Sequence, residues 1–118
     1  MPALTSLKGD RAFQRLRRGR SGGARLLSIR WRPTRRGEAA IGIVVSRKVG
    51  KAVVRNRVRR RLKEALRELL AGGVSQEATF RGEPSFDMVV IARPEAADAS
   101  FQELRAALRR ALERGKVL

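Results

Sequence analysis

Apolar residues recur along this chain with two distinct periods. From Leu27 to Arg32 they alternate: Leu27, Ile29 and Trp31 point one way, Ser28, Arg30 and Arg32 the other. A period of two predicts a strand with one wet face. The segments 39–47 and 86–92 are apolar in both phases, which predicts strands lying inside a sheet rather than at its edge. Elsewhere the spacing is helical. Ala12, Phe13 and Leu16 share one face of a short helix over 10–18, which Gly19 can stop. Val54, Val58, Leu62, Ala65, Leu66 and Leu69 form the stripe of an amphipathic helix from about Val53 to Leu70, ended by Gly72-Gly73. Ser100-x-x-Glu103 reads as a capping box opening a last helix, with Phe101, Leu104, Leu108, Ala111 and Leu112 on one face and an end near Gly115.

Between these elements, Ser21-Gly22-Gly23 reads as a turn, 33–37 as a hairpin-like connection, 48–52 as a short basic loop and 74–84 as irregular. The predicted order is α-β-β-α-β-α. It fits an α+β fold, a two-layer α/β sandwich on a small central sheet, and neither a doubly wound nor an all-helical architecture. No internal repeat or linker interrupts residues 1–118, so one domain is expected, with 1–8 and 114–118 as loose ends.

A chain of 118 residues buries roughly two-thirds of its unfolded surface. With only five aromatic residues, Phe13, Trp31, Phe80, Phe86 and Phe101, its core must be mostly aliphatic. The absence of cysteine and histidine excludes a disulfide scaffold, a Cys/His zinc site, a cysteine nucleophile and histidine acid–base chemistry. No run of eighteen apolar residues and no apolar signal core is present, so no membrane span is expected and the cytoplasm is the expected compartment.

Charge changes the picture most. Lys and Arg number 28 against 11 Asp and Glu, a net of +17. Residues 1–61 hold 19 cations and two acids, Asp10 and Glu38, whereas 62–118 hold nine of each. All the excess lies in one half. A one-sided field of this kind points to a polyanion, most simply a nucleic acid.

The densest run is 51–63, A-V-V-R-N-R-V-R-R-R-L-K after Lys51. With Val54, Val58 and Leu62 on one side of the helix, Asn56, Arg60, Lys63 and Arg67 group on the far side, and Arg55, Arg57, Arg59 and Arg61 flank the stripe. Cations here oppose the helix dipole and repel one another at i, i+4, as Arg55/Arg59 and Arg57/Arg61 do. Charge concentrated where it destabilises points to phosphate binding; a solvated basic face is the plainer alternative. Asn56 suits a base edge, a 2′-hydroxyl or a hydrated metal ion, or simply an N-cap. The approach Ser46-Arg47-Lys48-Val49-Gly50-Lys51 could hold a phosphate but lacks the pattern of a nucleoside triphosphate loop. Phe13 could stack on a base with Arg17 and Arg30 beside it, or pack its helix on the sheet. Asp87, Glu64 and Glu68 read as surface partners of Arg60, Arg61 or Arg67, so no catalytic set emerges.

The string A-V-V-R-N-R-V-R-R-R-L-K-E, preceded by V-S-R-K-V-G, resembles the signature of the bacterial ribonuclease P protein subunit. Phe13 to Arg20 resembles that family's first helix, Phe86 to Pro94 its later strand, and Ser100-Phe101-x-x-Leu104 the start of its last helix, in the right order over about 7–113. The resemblance implies a left-handed β-α-β crossover, against the right-handed rule. It implies an accessory protein of an endoribonuclease, a hydrolase whose large RNA subunit removes the 5′ leader of precursor tRNA with Mg2+. The protein would hold no catalytic residue and no metal of its own, and would act as a monomer in a 1:1 complex with the RNA, without DNA or membrane partners. By position, Arg55, Asn56, Arg57, Arg59, Arg60 and Lys63 match the motif facing the catalytic RNA, and Arg47, Lys48 and Lys51 the approach loop. Phe13 matches a leader-cleft aromatic; Arg17 and Arg30 stand where many relatives carry rings, so guanidinium stacking or phosphate contact would replace them. The rival readings are a general RNA-binding or ribosomal protein, a protein-only nuclease, which needs clustered acids, and a DNA-binding domain, whose helix-turn-helix pattern is missing.

Overall fold

In a computed structural model of the chain, residues 4–7 and 10–118 are described. Seven strands and three helices follow in the order β1 (Leu4–Ser6), α1 (Asp10–Arg15), β2 (Arg20–Gly23), β3 (Leu27–Pro33), β4 (Ala39–Val44), α2 (Ala52–Ala71), β5 (Thr79–Phe80), β6 (Glu83–Pro84), β7 (Phe86–Ala92) and α3 (Phe101–Arg114). Single 3₁₀ turns cover Leu16–Arg18, Gln76–Ala78 and Pro94–Asp98.

Five strands form one sheet in the order β1-β4-β7-β3-β2. The pairs β1/β4 and β4/β7 are parallel, β7/β3 and β3/β2 antiparallel. The strand apolar in both phases, β7, is central, and Phe86 to Val90 are all buried. In β3 the predicted alternation holds: Leu27, Ile29 and Trp31 are fully buried and Arg30 is exposed.

The two sheet faces differ. Leu27, Ile29, Trp31, Ile41, Phe86, Met88 and Val90 join the core that α2 and α3 cover, with Val58, Leu62, Ala65, Leu66, Leu104 and Leu108 opposite. On the other face a smaller cluster of Leu7, Leu16, Ala40 and Val89, with Ala12, Phe13 and Ile91, seats α1. The β4-α2-β7 connection is left-handed. Ile41 turns its side chain toward α2's core while its carbonyl accepts the Leu7 N–H of the β1 side at 3.1 Å. For an L-residue this puts β7 on the left of β4 when α2 lies in front and β4 points up, so this connection breaks the usual hand.

Four sequence expectations are corrected. Residues 4–6 pair with β4 instead of trailing loosely, because β4 otherwise lacks a neighbour on that side. The C-terminal end is also tied down: Val117 is buried, its N–H bonds Leu112 and its carbonyl accepts Ser75 N–H at 2.7 Å. Ser21-Gly22-Gly23 is not a turn but the edge strand β2; a Cβ on Gly22 would lie 2.1 Å from the Ala111 carbonyl oxygen, so only glycine lets α3 approach so closely. The irregular stretch contains a two-residue hairpin, β5–β6, with Arg81 (φ 54°) and Gly82 (φ 83°) at its tip.

Candidate nucleic-acid interface

Helix α2 spans 20 residues and buries Val58, Leu62, Ala65, Leu66, Leu69 and Leu70. Its cations divide between two flanks. On the flank toward α3, Arg57 Nη2 donates to the Ala97 carbonyl at 3.1 Å and Arg61 Nη1 to the Ala99 carbonyl at 2.8 Å. Both satisfy carbonyls of the turn that leads into α3, so Arg57, matched by sequence to the RNA-facing motif, is engaged in holding the fold. The guanidinium forks give these carbonyls, in and next to the 3₁₀ turn before α3, side-chain donors.

The opposite flank borders open space. Arg59, Lys63 and Arg67, spaced one turn apart, line a cavity of about 430 Å3 with Ser6, Leu7, Phe13 and Gly42. This groove wraps the β1/β4 edge, from α2 on one sheet face to Phe13 on the other. Arg59 Nη1 donates to Asn56 Oδ1 at 3.2 Å. Asn56 is thus neither an N-cap, which is Lys51, nor idle; it steadies the neighbouring guanidinium. Arg67 shares its charge with Glu64 at 3.1 Å. Among the described residues, the side chains of Arg47, Lys48, Lys51, Arg60 and Lys63 have no hydrogen-bonded or ionic partner, although all five are exposed. Arg55 is half-buried with its Nε unpartnered.

The approach loop is held by its backbone. Val49 N–H bonds Ser46, Gly50 N–H bonds Arg47, and the Val49 side chain is buried. Gly50 has φ 154°, a conformation that carries the chain into α2 at small steric cost only without a Cβ. Lys51 caps α2 with no side-chain bond, and no acid stands in the first turn. Free N–H groups and the positive end of the dipole lie there, with the exposed Arg47, Lys48 and Lys51 within five residues along the chain, an arrangement suited to an anion.

Phe13 packs its helix on the sheet and also reaches the groove. It is half-buried against Leu7, Leu16, Ala40 and Val89, yet its ring forms a groove wall; a Cβ on Gly42 would lie 2.9 Å from its Cζ. Arg30 Nη1 donates to the Arg17 carbonyl at 2.9 Å, which brings these two exposed residues together on the α1 face of the sheet.

Two residues carry more than the sequence suggested. Arg67 lines the groove, and its i+4 spacing from Lys63 was the readable signal. Asp87, expected to pair at the surface with α2, is buried in β7 and holds Arg32 at 3.3 Å and Arg36. Its register beside Arg32 is a property of the sheet, invisible in the chain. Glu64 and Glu68 do pair on the surface, Glu68 with Arg105 at 3.2 Å. Among the described residues no three acids stand together as candidate metal ligands. None of the described helices is long and apolar enough to cross a membrane.

The fold and the groove define a small basic α+β protein with a left-handed crossover and a cationic helix flank open to a polyanion. The family model described as Ribonuclease P matches residues 1–116. The chain is 50% identical over 115 residues to the ribonuclease P protein component of Thermus scotoductus and 40% identical over 114 residues to that of Roseiflexus castenholzii. These alignments cover 98% and 95% of this chain, and 62% and 86% of the relatives. The chain therefore spans somewhat under two-thirds of the Thermus protein. The solved RNase P protein of Staphylococcus aureus superposes with a TM-score of 0.79 at 26% identity, covering 95% of both chains. That of Thermotoga maritima gives 0.71 at 28% identity, over 88% of this chain and 91% of its own. The chain belongs to the ribonuclease P protein family.

Proposed function

We propose that this chain acts as the protein subunit of bacterial ribonuclease P, an endoribonuclease that trims precursor tRNA. It binds the catalytic RNA subunit through Asn56, Arg59, Arg60 and Lys63 on α2 and through Arg47, Lys48 and Lys51 before it. It holds the 5′ leader against Phe13, Arg17 and Arg30. The RNA performs the hydrolysis with Mg2+; the protein neutralises phosphate charge where both RNAs approach and so raises affinity for the substrate, and by holding the precursor against the catalytic RNA it raises the holoenzyme's affinity for the ions. It works in the cytoplasm, one protein to one RNA. The observation that carries this reading is the groove whose wall passes from the open cations of α2 to Phe13 in a member of this family. About six neutralised phosphates would give log affinity against log salt a slope of about −4 to −5.

The test is cleavage of precursor tRNA by a bacterial ribonuclease P RNA at low magnesium, with and without the protein. Faster cleavage with it, and none by the protein alone, supports the reading. RNA binding without any effect on cleavage would leave a general RNA-binding protein instead. Phe13→Ala should weaken substrates with a leader of several nucleotides by about 1–3 kcal/mol per stacked base. Leaderless substrate should be unaffected.

A further inference from the structure

We propose a second phosphate-binding site for RNA at the opposite edge of the sheet, between β2 and the C-terminal end of α3. The proposal rests on the RNA-binding reading above and adds a contact that reading does not use. A cavity of about 400 Å3 there is lined by Arg20, Ser21, Glu77, Arg114, Gly115 and Lys116. Three cations face one carboxylate. The four strand spacings from β1 to β2, about 4.8 Å each, set this edge about 19 Å from the α2 groove.

The donors are held in place but not used up. Arg20 pairs with Glu77 through Nη1, and its guanidinium lies 5.1 Å from the centre of the buried Trp31 ring. Arg114 Nη1 donates to the Gly23 carbonyl at 2.7 Å. Each guanidinium keeps further N–H donors. Ala24 N–H bonds the Leu27 carbonyl at 2.9 Å, and antiparallel alternation then turns the Ser21 N–H outward along the free edge. These donors and the Lys116 ammonium, unpartnered among the described residues, suit the oxygens of a phosphodiester.

Lys116 is the sharpest sign. It has φ 65°, the left-handed position after a helix where glycine is the ordinary choice. It is held there by Lys116 N–H to the Glu113 carbonyl at 3.0 Å and by Ser75 Oγ donating to the Lys116 carbonyl at 2.6 Å. Helix-dipole compensation accounts for Arg114 in the last turn, but not for a lysine where the backbone favours glycine. Three cations from distant parts of the chain meet at a cavity, and two of them come from the half with no net charge.

Lys116→Gly removes the charge and relaxes the backbone, so the full chain should keep or raise its melting temperature. Binding to ribonuclease P RNA transcript should weaken about sixfold at 0.1 M salt, and the magnitude of the log–log salt slope should drop by about 0.7–0.9. Adding Arg114→Gln should about double the slope change. Lys63→Gln on α2 serves as the reference. If Lys63→Gln weakens binding while Lys116→Gly leaves affinity and slope unchanged, the second site is refuted and the α2 interface stands. If neither substitution shifts binding, the RNA-binding reading fails and the second site with it.

Discussion

The two flanks of α2 carry the same residue type at positions two apart and use it for opposite ends. Arg57 and Arg61 turn toward α3 and give donors to the carbonyls of Ala97 and Ala99. Arg59 and Lys63 turn toward the β1/β4 edge and line an open groove. A basic run on a helix is therefore not one site. With 100° between residues, a step of two moves a side chain most of the way across the helix, and what each cation does depends on which element is packed against its flank. Where the carbonyls of a turn lie alongside, arginine satisfies the backbone; where the sheet edge leaves space, charge stays available.

The comparison breaks most severely if the ridge between the flanks is cut. Leu62 is fully buried in the stripe that seats α2, so Leu62→Ala should cost about 2–5 kcal/mol in urea unfolding and weaken RNA binding only through loss of the folded state. A crossed pair of substitutions sharpens it next. Arg61→Ala removes a charged donor from a part-buried carbonyl and should cost about 1 kcal/mol of stability. Arg60→Ala and Lys63→Ala should change stability by under about 0.5 kcal/mol. They should each weaken RNA binding in a salt-dependent way. Equal stability losses on both flanks, read by thermal melting, would erase the distinction.

Smaller effects test the details. Asn56→Ala frees Arg59 from its 3.2 Å anchor and should leave melting within about 0.5 kcal/mol. Its mark should be a lowered RNA affinity that Asn56→Gln, which keeps a neutral acceptor, partly restores. The smallest effect concerns the turn that Arg57 and Arg61 grip. The Ser100 backbone N–H, then its hydroxyl, hold the exposed Glu103 carboxyl below its ordinary pKa of 4.5. A carboxylate lowered in the folded state stabilises above its unfolded pKa, and that contribution fades as pH falls through the lowered value. Glu103→Gln should therefore flatten the pH dependence of melting below about pH 4.5, its small loss of stability present at neutral pH and vanishing as the wild-type carboxylate protonates.

What could be read beforehand follows from local physics. Helix α2 was expected over 53–70 and runs Ala52–Ala71, because its apolar stripe repeats at a helical period with glycines after it. Strand β7 was legible because apolar residues in both phases fit only a strand covered on both faces. The α3 start was legible because a capping box closes within four residues; Ser100 and Glu103 exchange bonds of 3.1 and 3.0 Å. Strands β1 and β2 were not legible. Leu4–Ser6 is too short to show a period, and Arg20–Gly23 holds no apolar side chain, so only their partners β4 and β3 define them.

The candidate site divides along the same line. Charge asymmetry, the cationic run and the side of α2 that carries Asn56, Arg60 and Lys63 are properties of local order and helical geometry, so the sequence by itself determined them. Tertiary structure alone decided that Arg57 donates to the Ala97 carbonyl, that Arg59 and Arg67 face a groove, and that Asp87 is buried between Arg32 and Arg36. It also joined Arg20 to Arg114 and Lys116, more than ninety residues away along the chain. The reason is one of range: a side chain's direction follows from its own few neighbours in sequence, but its partner is chosen by which distant element the core packs beside it.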